Sequence, residues 1–414
     1  MSETATLLFN PLDPAFRVNP YPAYARLRAE APVYRAANGT WVLSRYDDCI
    51  AILRGSSWSS DARNSSAYRR AVERGRADLS DDMLGETPPF LVLDPPDHTR
   101  LRGLVSKAFT PKVVAGLRPF VERVVDELLA AVAERGVMDV VEDFAYPPPL
   151  AVICELLGVP LADHASLREW SRRLSRGMDP PEVLPPEVVA ARRDAGNEFA
   201  TYFRALIQRR RATPGDDLLS ALIAAEDGGV KLSEDELIST CIFLLAAGHE
   251  TTVNLISGGM LALLEHPEQH ALLTADPSLA ASAVEEFLRY DAPVQYAYRT
   301  ALEDVAISGT TIPAGAQAVA LLGSANRDEA QFQDPDRLDI RRADNHHIGF
   351  GFGIHFCLGA PLARLEGQIA FQRLLPRLRD LQLAGEPRYK EHIVLRGLRS
   401  LPISFAPIAK GSPT

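Results

Sequence analysis

Most of this chain has apolar residues at the three- and four-residue spacing of amphipathic helices, and short strand patterns interrupt it in three places. These strand patterns lie near residues 30–55, 293–322 and 391–406. In the first of them, Asn38-Gly39 is a turn signal between two short runs. The pattern predicts a mainly α fold with a smaller β portion, and we expect residues 1–414 to form a single domain.

A capping box at Ser233 and Glu236 opens the longest predicted helix, which runs for about 50 Å until a proline ends it. Its centre, residues 241–247, is apolar on every face, as in a buried helix. Gly248 and Glu250 follow directly, although a glycine and a carboxylate are both unfavourable there. Two such costs at one point predict a functional site, where Gly248 lets a flat ligand come close and lets the helix widen locally.

The composition excludes several classes of protein. The chain has 414 residues, of which 46% are hydrophobic and 24% charged, and this predicts a folded domain with a large core. Acidic residues outnumber basic ones by 54 to 44, which argues against nucleic-acid binding. There is no apolar run of about 20 residues and no signal-peptide pattern, so we expect a cytoplasmic protein without a membrane span.

One of the four scattered cysteines, Cys357, lies among glycines and aromatic residues directly before a predicted helix over residues 360–375. Free N–H groups and the dipole at a helix N-terminus stabilise a thiolate, and the glycines let the backbone turn sharply. A structural zinc site is disfavoured because no second cysteine is near, and an inert buried cysteine does not explain the glycines or His355. The loop is suited to an iron porphyrin, which takes one thiolate as its axial ligand.

Three motifs resemble those of the cytochrome P450 family. Phe350-Gly-x-Gly-x-His-x-Cys-x-Gly359 resembles its haem-thiolate signature, Ala247-Gly-x-Glu-Thr-Thr252 its oxygen-activation motif, and Glu286-x-x-Arg289 its Glu-x-x-Arg pair. The resemblance follows the family's order over nearly the whole chain. It implies the cytochrome P450 fold, with the haem between the long distal helix and the helix that follows the cysteine loop.

The resemblance implies a role for each matching residue. Cys357 would bind the haem iron, Glu250 would relay protons as a catalytic residue, and Thr251 would donate a hydrogen bond to the bound oxygen. The propionates would be bound by His98 and Arg102, which share a helix face, by Arg299 and by His355. The other residues expected to contact the haem are Ala247, Gly248, Phe350, Gly351 and Gly359.

Two further groups of residues are expected to shape the fold and the substrate pocket. Glu286, Arg289 and Arg337 would be structural, with Arg337 completing the buried acid–base pair. The polar stretch over residues 56–89 would cap the pocket. The candidate substrate contacts, chosen by position and mainly apolar, are Phe243, Ala246, Ala247, Val294, Val394 and Leu395.

The implied activity is that of a bacterial-type monooxygenase with haem b as cofactor, O2 as co-substrate and electrons ultimately from NAD(P)H. A separate ferredoxin and ferredoxin reductase would supply the electrons to a monomeric enzyme, with Arg102 and Arg364 guiding the docking. The enzyme would hydroxylate or epoxidise a mainly hydrophobic small molecule in secondary metabolism or xenobiotic degradation. Two alternatives are a peroxide-driven peroxygenase, which typically lacks the acid–threonine pair, and a non-catalytic haem-binding partner protein, which typically loses the cysteine loop.

Overall fold

The computed structural model describes residues 9–74, 87–176, 179–180, 183–227 and 229–407. Residues 75–86 of the stretch expected to cap the pocket therefore lie outside the described residues, as do both ends of the chain. The described residues are mainly helical with a smaller β portion, as the sequence predicts. Within those ranges, no helix is both long enough and apolar enough to cross a bilayer.

Helices make up most of the fold, and the sequence-predicted helices are found with shifts of a few residues at their ends. In chain order the helices are α1 (Pro14–Val18), α2 (Tyr21–Glu30), α3 (Tyr46–Arg54), α4 (Ser66–Glu73), α5 (Asp97–Ala108), α6 (Pro111–Gly116), α7 (Arg118–Val132), α8 (Pro147–Leu156), α9 (His164–Arg176), α10 (Pro186–Ala212), α11 (Leu218–Ala224), α12 (Glu234–Glu265), α13 (Pro267–Ala275), α14 (Ala280–Tyr290), α15 (Leu322–Ala325) and α16 (Ala360–Leu374).

The strands form one five-stranded sheet and several smaller pairings. In chain order they are β1 (Val33–Arg35), β2 (Trp41–Leu43), β3 (Trp58–Ser59), β4 (Val137–Asp139), β5 (Glu226–Asp227), β6 (Val230–Lys231), β7 (Tyr296–Ala301), β8 (Val305–Ile307), β9 (Thr310–Ile312), β10 (Gln317–Leu321), β11 (Gln382–Leu383), β12 (Arg388–Tyr389), β13 (Leu398–Ser400) and β14 (Pro402–Ser404).

The largest sheet has the order β1-β2-β10-β7-β3 and joins the first two strand patterns of the sequence. The predicted hairpin is confirmed, with Val33 opposite Leu43 in the antiparallel pair β1–β2. Strand β10 pairs in parallel with β2 and antiparallel with β7. The third pattern forms β13 and β14, and β14 pairs antiparallel with both β11 and β4.

The long helix α12 lies at the centre of the main hydrophobic core, where it packs against α8, α10, α14 and α16. Its capping box is formed: the Ser233 hydroxyl accepts from the Glu236 N–H at 3.2 Å, and the Glu236 carboxylate accepts from the Ser233 N–H at 2.8 Å. At Gly259 a Cβ would come within 2.7 Å of Phe287 and 2.8 Å of Phe371. Only glycine lets α12 approach α14 and α16 so closely.

The sequence predicts a local widening of α12 at Gly248, and this prediction is wrong. The backbone is α-helical from Glu234 to Glu265 without interruption. A Cβ at Gly248 would meet Ile153 of α8 at 3.5 Å, an ordinary van der Waals contact. The hydroxyl of Thr252 also donates to the Gly248 carbonyl at 3.2 Å while the helix continues. The absence of a side chain at Gly248 therefore neither widens nor bends the helix.

The buried acid–base pair is present, but a different arginine completes it. Glu286 accepts from Arg289 Nε and Nη2 at 2.8 Å each, and both side chains are fully buried. The second arginine on Glu286 is Arg342, whose Nε lies 3.2 Å from Oε2. The side chain of Arg337 is exposed, and this residue contributes only its carbonyl, which accepts from Arg289 at 3.0 Å. The prediction that Arg337 completes the buried acid–base pair is therefore wrong.

The Glu286 network fastens α14 to the irregular segment before the cysteine loop. Arg289 also donates to the carbonyls of Asn326 at 3.0 Å and Pro335 at 2.7 Å. Glu286 also accepts from Asn345 Nδ2 at 3.2 Å. A carboxylate with no solvent contact needs this many donors, because an unpaired buried charge is strongly unfavourable.

We predict that Arg342→Met destabilises the protein by about 3 kcal/mol, because it leaves part of the Glu286 charge unpaired in the core. The matched variant Arg337→Met removes the same charge five residues earlier in the chain. It keeps the carbonyl that Arg289 uses, so we expect a change of less than about 0.5 kcal/mol. Denaturant unfolding of both variants measures the difference. Equal destabilisation would contradict the assignment.

Candidate active site

The cysteine loop is held in a tight turn by its own backbone. Gly351 and Gly353 have φ angles of +72° and +73°. A Cβ at Gly353 would lie 2.6 Å from the carbonyl oxygen of Leu53 in α3. The N–H of Cys357 donates to the carbonyl of Phe350 at 2.9 Å, which closes the loop. These constraints place the sulfur directly before α16, as the sequence predicts.

The protein alone does not ionise the Cys357 thiol. Burial raises the pKa of this thiol, and the backbone N–H groups of Gly359 and Ala360, with Arg102, act in the opposite direction without overcoming it. A metal cation deprotonates a coordinating thiol outright. In the described parts of the chain, no group of three His, Cys, Asp or Glu side chains could hold a metal ion. Cys357 is therefore suited to a metal whose other ligands come from a cofactor.

Four side chains that can carry positive charge converge near this sulfur, and several of their polar atoms lack partners. The rings of His98 and His355 lie 4.3 Å apart between centroids. Both ring nitrogens of His98 and the Nδ1 atom of His355 are buried without a hydrogen-bond partner among the residues that the structure describes. Burial, with Arg299, His98 and Arg102, lowers the pKa of His355 to about 3.

Arg299 and Arg102 complete this group. Burial lowers the pKa of Arg299 to about 10, and its Nη1 atom donates to the Tyr298 carbonyl at 2.7 Å. Arg102 donates to the carbonyl of Phe356 on the cysteine loop at 2.5 Å. Partnerless ring nitrogens beside two guanidinium groups fit an anionic ligand, since buried polar groups are nearly always paired. Two carboxylates on a flat ligand, as in haem, fit this set.

Glu250 and Thr251, the two residues of α12 that the sequence predicts to be catalytic, have different hydrogen-bond partners. Thr251 donates its hydroxyl hydrogen bond to the Ala247 carbonyl at 2.8 Å. The Glu250 carboxylate instead forms a buried ion pair with Lys390, whose ammonium also donates to Asn254 Oδ1 at 2.9 Å. Burial raises the pKa of Glu250, but the Lys390 ammonium outweighs it, so the pKa lies below its usual value.

His249 has a structural contact in this fold. It is fully buried, with Nδ1 3.3 Å from the hydroxyl of Ser171 on α9 and its ring 4.2 Å from that of Tyr146. Burial lowers its pKa to about 4, so the imidazole is neutral. It therefore supports α12 against α9 and does not contribute a charge.

The motifs gave no indication of one buried acid, Glu366 of α16. It is 2% exposed, and burial raises its pKa to about 8, with the Thr252 hydroxyl acting weakly in the other direction. Its Oε2 atom has no hydrogen-bond partner in the protein. The sequence does contain a signal, because Glu366 lies one residue after Leu365 and three before Ile369, on the apolar face of the helix. Lys390 has no such signal.

The candidate substrate residues fall in two places. Phe243 and Ala246 lie on α12, where the Phe243 ring meets that of Phe90 at 5.2 Å, edge to face. Val294 pairs with Leu395 in an isolated antiparallel bridge, next to Val394. Both places are apolar and partly or fully buried. Contact between these residues and a substrate is a proposal.

Arg364 is already engaged within the protein, which weakens the docking role that the sequence predicts for it. Its Nε and Nη2 atoms donate to both carboxylate oxygens of Glu285 at 2.7 and 2.8 Å. The guanidinium also lies 4.7 Å from the ring centroid of Phe350. Arg364 therefore braces the cysteine loop against α14.

Comparisons with known proteins give one consistent result. The family model described as Cytochrome P450 matches residues 74–276 and 277–394. The polyketide biosynthesis cytochrome P450 PksS of Bacillus subtilis is 40% identical over 97% of this chain and 99% of its own length. Its solved structure has a TM-score of 0.87, covering 96% of this chain and 100% of that one.

Two further relatives differ in what their names say they act on. The vitamin D(3) 25-hydroxylase of Pseudonocardia autotrophica is 44% identical over 95% of both chains. The crystal structure of P450BioI, in complex with an acyl carrier protein ligated to hexadec-9Z-enoic acid, is 39% identical. It has a TM-score of 0.85 and covers 95% of this chain and 99% of that one.

We predict that Glu366 makes the protein less stable as the pH rises from 5 to 8. The unfolded state ionises this group near its ordinary pKa of about 4.3, whereas the folded state keeps its proton up to about 8. The unfolded state then binds fewer protons, so stability falls with pH by at most about 1.4 kcal/mol per unit.

Glu366→Gln removes that contribution, and its unfolding free energy should fall less steeply between pH 5 and pH 8. Urea denaturation at several pH values measures this. The exposed Glu268→Gln of α13 is the matched control and should keep the wild-type slope. An unchanged slope in Glu366→Gln would show that this carboxyl ionises normally in the fold.

Proposed function

This chain belongs to the cytochrome P450 family, and from that premise we propose that it hydroxylates or epoxidises a mainly hydrophobic small molecule with electrons from a separate ferredoxin and ferredoxin reductase. As a cytochrome P450 monooxygenase it uses haem b, O2 and electrons derived from NAD(P)H. The observation that carries the proposal is the Cys357 thiol, on a loop directly before α16, near two histidines whose buried ring nitrogens have no partner among the described residues and near Arg102 and Arg299.

We assign the haem contacts from these side chains. Cys357 would bind the iron, because it is the sulfur on the loop and faces the N–H groups before α16. His98 and His355 would bind the propionates, since buried ring nitrogens of both have no partner among the described residues, and Arg299 would join them from beside His355. Arg102 would bind a propionate and would also hold the cysteine loop, because it donates to the carbonyl of Phe356. Thiolate-bound haem supplies the chemistry that cleaves O2.

The residues of α12 would supply protons for that chemistry. Thr251 presents a hydroxyl in the middle of the helix, and its bond to the Ala247 carbonyl fixes the orientation of that hydroxyl. Glu250 is the nearest acid in sequence and is kept ionised by Lys390. Once protonated, a carboxyl group of lowered pKa gives up its proton readily, so we assign Glu250 to receive protons from solvent and pass them towards Thr251.

Ala247 and Gly248 would face the haem, since neither has a side chain that would obstruct a flat ring. Phe350 would lie on the cysteine side of the haem, together with Gly351 and Gly359. Gly359 fits that role because a Cβ there would lie 3.9 Å from the sulfur of Cys357. These assignments follow the motif positions.

The substrate would be mainly hydrophobic. Phe243, Ala246, Val294, Val394 and Leu395 present apolar side chains at the two places described above. The names of the relatives agree, because one hydroxylates vitamin D(3) and another was crystallised with a fatty acyl chain on a carrier protein. Polyketide, sterol-like and fatty acyl compounds are therefore the first classes to screen, and they favour a role in secondary metabolism or in xenobiotic degradation.

The experiment is reconstitution with a surrogate ferredoxin, its reductase and NADPH, with product and NADPH counted together. We predict that Thr251→Ala still consumes NADPH but lowers product per NADPH several-fold, because the helix loses its only hydroxyl at that position. Thr251→Ser keeps the hydroxyl and should retain most of the wild-type ratio. An unchanged ratio in Thr251→Ala would remove Thr251 from the catalytic residues.

A further inference from the structure

Two neighbouring acids of α14 bind partners in different parts of the fold. Glu285 and Glu286 follow each other on this helix, so their side chains leave it about 100° apart. Glu286 is fully buried and binds Arg289 and Arg342. The side chain of Glu285 is 27% exposed and binds groups of α16 and of the segment before the cysteine loop. Neither the proposed haem contacts nor the proposed proton supply uses Glu285.

The Glu285 carboxylate forms a group of three side chains with Arg364 and His347. Arg364 donates to it through Nε and Nη2 at 2.7 and 2.8 Å, and His347 Nε2 lies 3.1 Å from Oε2. The N–H of Gly349 donates to Nδ1 of His347 at 3.1 Å. Because Nδ1 accepts this bond, the ring proton is on Nε2 and the imidazole is neutral. The group therefore contains one cation, Arg364, and one acid.

This group adjoins the proposed iron ligand. The Arg364 guanidinium lies 4.7 Å from the ring centroid of Phe350, and the Phe350 carbonyl accepts from the N–H of Cys357 at 2.9 Å. The ring of His347 lies 5.9 Å from the same phenyl ring. Burial raises the pKa of the Cys357 thiol, and the charges of Arg102 and Arg364 both act against that increase. The field of Arg364 therefore reaches the sulfur.

The two arginines that act on the sulfur differ in whether a carboxylate balances them. Arg102 donates to the carbonyl of Phe356, and no carboxylate among the described residues forms an ion pair with it. Arg364 is paired with Glu285, and both side chains are two-thirds or more buried, so solvent screens their charges only in part. Burial raises the pKa of Glu285, but the hydrogen bonds from Arg364 and His347 outweigh it and lower the pKa to about 2. Glu285 is therefore ionised at neutral pH and balances Arg364.

We propose that Glu285 is a positioning residue that holds and balances the Arg364 cation beside Cys357 and thereby keeps the reduction potential of the haem iron low. The inference rests on the proposed binding of that iron by Cys357. Reduction transfers one electron from the ferredoxin to ferric iron, which gives ferrous iron and breaks no bond. An unbalanced cation nearby favours the state with the additional electron, so loss of the Glu285 charge raises the potential. Glu285 would thus restrict reduction to donors of low potential, such as an iron–sulfur ferredoxin.

The test is a spectroelectrochemical titration of the substrate-free, haem-loaded protein, which gives its reduction potential without turnover. We expect Glu285→Gln to raise the potential, because Arg364 keeps its charge and loses the balancing one. Arg364→Gln should lower the potential, because the negative charge of Glu285 is then left alone. The double variant should return to a value near that of the wild type. A role confined to the shape of the loop would instead shift both single variants in the same direction.

Asp344→Asn is the matched control, since it removes the same charge three residues before His347. The side chain of Asp344 is 81% exposed, so water and salt screen its charge and the potential should stay at the wild-type value. If Arg364→Gln does not bind haem, Arg364→Lys takes its place. The lysine keeps the positive charge, so its potential should stay close to that of the wild type while that of Glu285→Gln still rises.

Three results would overturn the proposal. They are an unchanged or lowered potential in Glu285→Gln, a shift of Glu285→Gln and Arg364→Gln in the same direction, and an equal shift in Asp344→Asn. The spectrum of the reduced carbon monoxide complex separates this inference from the proposed function. If the wild type and Glu285→Gln both show the band of thiolate ligation but have equal potentials, only the role of Glu285 is wrong. If the wild type lacks that band, the iron ligand itself is wrong and the inference fails with it.

Discussion

The structure is arranged around the cost of burying one sulfur atom. Cys357 lies before α16 with backbone N–H groups and Arg102 directed at it, yet burial still keeps its pKa above the ordinary value. Burial keeps the thiol protonated, and a metal cation bound there would deprotonate it. The fold pays for this arrangement with glycines at Gly351 and Gly353, whose positive φ angles no other residue adopts easily.

The same balance between burial and partners decides the state of the two acids near the site. Glu250 and Glu366 are both buried, at 3% and 2% exposure. Glu250 has the ammonium of Lys390 and is kept ionised, whereas Glu366 has no cation and keeps its proton to a pKa of about 8. One carboxylate and one carboxylic acid therefore lie on the two helices α12 and α16 that the haem is expected to separate. The difference arises from a single long-range contact.

Features that depend on residues close together in the sequence could be predicted, whereas contacts between residues far apart in the sequence could not. The capping box at Ser233, the hairpin at Asn38-Gly39 and the cysteine loop depend on neighbouring residues, so their patterns were sufficient. Lys390 pairs with an acid 140 positions away, and Arg342 reaches Glu286 from a segment without regular structure. The spacing of residues does not encode such contacts. The widening expected at Gly248 is not found, and α12 is α-helical there without interruption.

The central claim is that Cys357 binds the haem iron as a thiolate. The most direct measurement is the absorption spectrum of the haem-loaded protein, reduced and then exposed to carbon monoxide. We predict that the Soret band moves to the long-wavelength position given by thiolate ligation, and that Cys357→His abolishes this shift in protein that still binds haem. A wild-type band at the shorter wavelength typical of imidazole ligation would contradict the account.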